Sequence, residues 1–327
     1  MTYDIEELSL KNKSEEEQKR TRTIFEYLKN KILKGEEVSE YEKDFFCIGV
    51  RLSQLNDGKI EDYECCENFK FKSLYLSYFQ DLTGLGEYQK IRGTERYNPT
   101  QAEIKLDLKY LKAKALEWKK TIEKTNHSDE LLQQISKETR NDLKEIEKTK
   151  RKLPFRKDRE KSALYNLRTL LRSKFIFCMA LQIFELFDNE EFVLRLNGEE
   201  IEINEFSIIH IISRHYSEIT KSNPERSFHN KDFEAKYFNK QLGKIFKKID
   251  ESGFYIGKSI ESILFKYKNV NYQVWVKERI KQIKGKGNVK FNRLETFYPV
   301  KEPKELSKIN SEYELKKIND DLSVYIK

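Results

Sequence analysis

The apolar residues of this 327-residue chain change period once, and that change constrains the fold more than any other feature. Up to about residue 188 they recur at helical spacing, and beyond Asn189 they alternate over short runs. Capping boxes open the helical part. Ser14-Glu15-Glu16-Glu17 precedes a helix to about Leu33, with Gly35 as its stop, and Ser39-Glu40-Tyr41-Glu42 opens a second through Phe45, Phe46, Ile48 and Leu52. Asn56-Asp57-Gly58 breaks that helix, and an aromatic run over 69–79 ends in the glycine turn at 82–86. Long amphipathic helices are predicted over 101–125, 128–149 and 158–187, the last two separated by Pro154 in a basic connection.

After the switch, Phe192-Val193-Leu194-Arg195-Leu196 and Glu199-Glu200-Ile201-Glu202-Ile203 flank Asn197-Gly198, a hairpin signal because both turn positions need positive φ. Helices over 205–220 and 233–251 follow, divided by a polar loop around Pro224. Three strands come next, over 260–268, 271–277 and 289–300, with a short turn at Asn269. The fold class is therefore α+β, with a helical N-terminal region before a small C-terminal α+β domain carrying an antiparallel sheet. The expected division is a mostly helical module at 1–100, a long-helix module at 101–188, the α+β domain at 190–305 and a C-terminal tail at 306–327.

Charged residues are 36% of the chain and hydrophobic ones only 38%, which alone would suggest disorder, but 21 Phe and 18 Tyr can fill cores. No apolar run approaches the ~18–20 residues that span a bilayer, and the acidic start Met1-Thr2-Tyr3-Asp4-Ile5-Glu6-Glu7 lacks a signal core. A cytoplasmic protein away from membranes is expected. The cysteines are Cys47, Cys65, Cys66 and Cys178. With two of them adjacent and no C-x-x-C pair, four reduced thiols and no zinc site are expected.

The formal net charge of +8 is unevenly spread. Residues 205–300 carry 19 Lys+Arg against 10 Asp+Glu, and the remainder of the chain is close to neutral. Three of the four histidines, His210, His215 and His229, lie in that basic stretch. A positive module holding the groups that exchange protons near neutral pH points to a polyanionic partner.

His210 and Arg214 share a helix face, whereas His215 falls about 140° round the axis from His210. Either the helix ends near Arg214 or one histidine is structural. Arg226-Ser227-Phe228-His229 offers a phosphate-binding loop. In the last strand, alternation puts Arg293, Glu295 and Phe297 on one face and Asn292, Leu294, Thr296 and Tyr298 on the other. A lysine-rich loop within 277–290 suits a phosphate backbone, and Tyr267, Tyr272 and Trp275 are candidates either for base stacking or for the core.

The His-x-x-x-Arg-His helix, followed by Phe-Lys-Tyr-Lys, Tyr-Gln-Val-Trp-Val and Leu-Glu-Thr-Phe-Tyr-Pro strands, resembles the phage-type branch of the barnase–EndoU–colicin–RelE superfamily over about residues 190–305. That resemblance implies a small metal-independent ribonuclease of toxin or phage-defence type with no cofactor. Carried onto this chain, it implies His210, Arg214, His215 and Thr296 as site residues. The Ser227/His229 loop is extra to the family pattern, so which histidine is catalytic stays open, with His229 included. Arg226, Ser227, Lys266, Lys268, Arg293 and Tyr298 are the candidate RNA and phosphate contacts.

Such an enzyme needs a base for the 2′-hydroxyl, an acid for the 5′-oxygen and a cation for the phosphorane, and it leaves a 2′,3′-cyclic phosphate. The expected partners are RNA (tRNA or mRNA), an antitoxin or regulator, and a second copy through the long helices. The rivals are a non-catalytic nucleic-acid-binding protein and an ADP-ribosyl transferase.

Overall fold

A computed structural model describes residues 2–9, 12–53, 59–79, 89–92, 95–150, 156–216, 227–283, 285 and 287–327. The breaks expected at 56–58, 82–86 and Pro154, the loop around Pro224, and Arg226 lie outside these residues, as do Lys284 and Lys286 of the lysine-rich loop. The chain divides into two compact units, Met1–Leu186 and Phe187–Lys327.

In the first unit a short α1 (Ile5–Leu8) precedes α2 (Glu15–Leu33) and α3 (Glu40–Leu52). Both predicted capping boxes form: Ser14 and Ser39 accept from the N–H groups of Glu17 and Glu42, whose carboxylates bond back. Next come α4 (Glu67–Tyr78), the antiparallel pair β1 (Lys90–Arg92) and β2 (Glu95–Tyr97), then α5 (Gln101–Glu123), α6 (Glu130–Lys150) and α7 (Arg156–Leu186). Helix α7 packs against α3, α4, α5 and α6. It buries Leu171, Phe175 and Ile183, while α5 buries Leu111 and Ile122.

Two polar contacts tie these helices together. Trp118 Nε1–H donates to Ser173 Oγ at 2.7 Å. Asp44 on α3 accepts from Lys72 on α4 at 2.7 Å and from Gln182 on α7 at 2.5 Å.

The expectation of four reduced thiols is corrected at one pair. Cys47 on α3 and Cys66 at the start of α4 form a disulfide, their Cα atoms 6.1 Å apart, while Cys65 and Cys178 are free. Consecutive residues project in different directions, so the Cys65-Cys66 adjacency conceals that only one of the two meets α3.

The second unit is the α+β part. β3 (Val193–Leu196) and β4 (Glu199–Glu202) are joined by Asn197 and Gly198 at φ 57° and 76°, the turn the sequence predicts. Then come α8 (Glu205–His215), α9 (Phe238–Glu251), β5 (Ser262–Tyr267), β6 (Val270–Ile283), β7 (Gly287–Pro299), α10 (Pro303–Glu312), β8 (Glu314–Lys317) and β9 (Leu322–Ile326). The sheet order is β3-β4-β7-β6-β5-β9-β8, antiparallel except where β4 meets β7. The 306–327 segment, expected as a tail, holds most of α10 and both final strands, with β9 paired to β5.

One face of the sheet buries Ile263, Phe265, Tyr272, Val274, Leu294 and Phe297, and α8 and α9 supply Ile208, Ile211, Phe238, Leu242 and Phe246 to the same core. On the opposite face Leu264, Val300 and Tyr325 pack with Ile309 of α10, alongside Tyr298, Leu306 and Tyr313. The alternation expected in β7 is corrected by a β-bulge. Trp275 pairs with Thr296 but Val276 pairs with Leu294, so Glu295 is the extra residue. That extra residue shifts the phase, and Leu294 and Phe297, three apart, both reach the α8 core. Thr296 and Tyr298 keep to the outer face, together with their partners Trp275 and Gln273.

Candidate active site

Strand β4 pairs with β7 only at Asn292 and Arg293. Past that point no strand of the described residues lies on that side of β7, and the end of α8 and the 227–229 segment take the place instead. Helix α8 stops at His215, and Tyr216 is already extended (φ −122°, ψ 118°). The early stop settles how both helical histidines reach one place. His215, as the last helical residue, turns round the edge of β7, and its ring stands 6.4 Å from that of His210.

Both nitrogens of His215 are engaged. Nδ1 lies 3.1 Å from the Ser227 carbonyl oxygen and Nε2 lies 2.9 Å from Thr296 Oγ1. A carbonyl only accepts, so Nδ1 carries the proton and donates. In the neutral ring Nε2 then holds the lone pair and accepts from the Thr296 hydroxyl. The ring is also stacked on Tyr298, with centroids 5.2 Å apart and planes 17° apart. Burial pushes the Tyr298 phenol above its ordinary pKa, so it stays a neutral support.

His210 stacks on Phe206 at 5.5 Å, and the Arg293 guanidinium lies 3.9 Å over the other partner in that line, the Phe206 ring. Arg293, Phe206, His210, His215 and Tyr298 thus form a ladder between α8 and β7. Glu295 anchors its cationic end by accepting from Arg293 at 2.9 Å and, through both oxygens, from Arg279 at 2.9 Å. Burial alone would raise the Glu295 carboxyl, but the hydrogen bonds and charges of Arg279 and Arg293 outweigh it and hold the pKa below the usual value.

No family model, curated protein or solved structure matches this chain.

His229 sits beneath the ladder. Its backbone N–H donates to the His215 carbonyl at 2.9 Å. Its Nε2 lies 3.0 Å from the Phe297 carbonyl and must be the donor. Its ring is buried against Phe297 at 4.4 Å and Tyr216 at 5.0 Å, and Nδ1 has no hydrogen-bond partner among the described residues. Burial drives its pKa from 6.5 down to about 3; the Phe297 carbonyl opposes that shift, while the charges of His215 and Lys301 add to it. A ring held neutral through the whole range near pH 7 positions its neighbours rather than exchanging protons.

The other expected residues are more scattered. Arg214 is exposed and makes no ion pair among the described residues. Ser227 contributes its carbonyl to His215 rather than its hydroxyl. Lys268 is paired to Asp232 at 3.1 Å. Lys266 is half-buried on β5, opposite Asn271 and Ser323. Among the described residues no three His, Cys, Asp or Glu side chains gather as a metal site.

Phe206, Arg279 and Gln273 also belong to this arrangement, though the sequence had not marked them. Phe206 precedes His210 by four residues, a spacing that would have found it. The pairing of Arg279 with Glu295 depends on the bulge, which no local signal in β7 announces.

Proposed function

We propose that the second unit is an endoribonuclease of toxin or phage-defence type, cleaving RNA by metal-independent transphosphorylation. One observation carries the proposal: His215 is held with Nδ1–H on a backbone carbonyl and its basic Nε2 directed at a hydroxyl, with a second imidazole 6.4 Å away. An RNA 2′-hydroxyl replaces the Thr296 hydroxyl at Nε2 and loses its proton to it. The 2′-oxygen attacks phosphorus, the bond to the 5′-oxygen breaks, and His210 in its protonated form delivers the proton to that leaving oxygen. Thr296, released from His215, donates to a non-bridging oxygen, and Arg214 supplies positive charge. His229 keeps Phe297 and the His215 backbone in place.

The test is RNA cleavage by the purified chain in EDTA, with the ends of the products analysed. A 2′,3′-cyclic phosphate is expected, with losses of about 10²–10⁴-fold for His215→Ala and for His210→Ala. A requirement for divalent metal, or full activity in both variants, overturns the proposal. Retained salt-dependent RNA binding with no cyclic phosphate would leave a nucleic-acid-binding protein. Under the nuclease proposal the helical unit senses, restrains or delivers the enzyme in the cytoplasm, with an antitoxin, a regulator or a second copy as its partner.

A further inference from the structure

Trp275 is the large side chain beside this site whose exposure the core does not explain. It is 43% exposed, whereas the other tryptophan, Trp118, is 6% exposed in the helical unit. The β6–β7 register sets Trp275 directly across from Thr296, one strand spacing of about 5 Å away and on the same face. Its indole N–H lies 3.4 Å from the Tyr298 hydroxyl, which donates to Gln273 Oε1 at 2.7 Å; Gln273 Nε2 in turn donates to Ser262 Oγ at 3.0 Å. The indole is therefore satisfied at its polar edge by the same tyrosine whose ring supports His215.

Two residues further along β6, on the same face and opposite Arg293, Lys277 is exposed with no ion-pair partner among the described residues. The neighbouring cations are committed: Arg279 and Arg293 to Glu295, Lys281 to Glu202 and Lys290 to Glu278.

We infer that the outer face of β7 and β6 is a track for single-stranded RNA, on which Trp275 stacks the unpaired base next to the phosphate at His215 and Lys277 holds the following phosphate. This rests on the ribonuclease reading and adds the substrate class to it. A paired base keeps its faces inside the duplex and cannot use the indole, so the site selects single strands. The stack tolerates any base, because every base has a π-face.

The probe is a short oligouridylate titrated into the full-length His215→Ala chain, read by tryptophan emission. Trp118 is buried, so saturable quenching reports Trp275. The same oligonucleotide annealed to its complement should bind poorly. Trp275→Leu should weaken single-strand binding by about 5- to 100-fold, and Trp275→Phe, which keeps a stacking ring, by much less. Lys277→Gln should lower the slope of log affinity against log salt by about one.

Equal affinity for single and double strands, or unchanged affinity in Trp275→Leu with wild-type circular dichroism, overturns the track. Cleavage assays on the His215-containing proteins separate the two ideas. Binding through Trp275 without any cyclic phosphate sinks the nuclease and leaves the track. Cleavage that Trp275→Leu does not change, in kcat/KM or affinity, sinks the track and leaves the nuclease.

Discussion

Acidification from pH 7 to pH 5 should destabilise the second unit through one buried ring. Folded His229 has a pKa of about 3, against an ordinary value of 6.5. Between these values the unfolded chain binds the proton and the folded one does not, so stability falls as pH drops below 6.5 and goes on falling towards pH 3. Linkage gives a loss of about 2 kcal/mol by pH 5 and about 3 kcal/mol by pH 4.

The measurement is urea denaturation followed by tryptophan emission in a Trp118→Phe background, so that Trp275 reports the second unit alone. The comparison is His229→Gln, which does not titrate but keeps an N–H for the Phe297 carbonyl. Protonation of carboxylates such as Glu295 contributes equally to both proteins and cancels in the difference. The wild type should lose about 2 kcal/mol more than the variant between pH 7 and pH 5. Parallel pH profiles for the two proteins would refute the account of a ring held neutral by burial.

Other outcomes follow from the same structure. Alkylation under denaturing, non-reducing conditions should label two cysteines and, after reduction, four; breaking the Cys47–Cys66 bridge across 19 residues should cost about 3 kcal/mol of stability, read by melting with and without reductant. Asp44→Ala strands the buried Lys72 ammonium and should destabilise the helical unit by about 3–5 kcal/mol in urea denaturation, far more than replacing any exposed pair. Gly198→Ala, at φ 76°, should cost about 1 kcal/mol, whereas Gly243→Ala, with only a distant contact at 4.0 Å, should leave the melting temperature unchanged or raise it. RNA cleavage should show a bell-shaped pH profile, because one histidine must be neutral and the other protonated; a profile that rises to a plateau would remove one of them from the mechanism.

Much of the fold was legible where local chemistry decides it. Capping serines at 14 and 39, the Asn197-Gly198 turn and the β-meander all depend on residues near one another in sequence, and they form as expected. In the candidate site, His210, His215, Thr296 and Tyr298 could be named from the sequence, but not their arrangement. Helical geometry alone set His210 and His215 apart; the stop at His215 and the edge of β7 left open beyond Arg293 bring them together. The same limit applies to Leu294 and Thr296, whose faces are set by the bulge at Glu295. Leu322-Ser323-Val324-Tyr325-Ile326 carries an alternating pattern of its own, but its partner β5 lies more than fifty residues earlier, beyond the reach of a local signal.

The position of β9 bears on how the chain is made. Synthesis order and spatial order diverge here, because 322–326 emerge after the other described strands yet lie between β5 and β8. Until residue 326 has cleared the ribosome, β5 presents a bare edge, and the core that includes Tyr298 lacks Tyr325. Tyr298 is also the floor beneath His215. A nascent chain would thus carry every proposed catalytic side chain while the support of its central histidine is still incomplete.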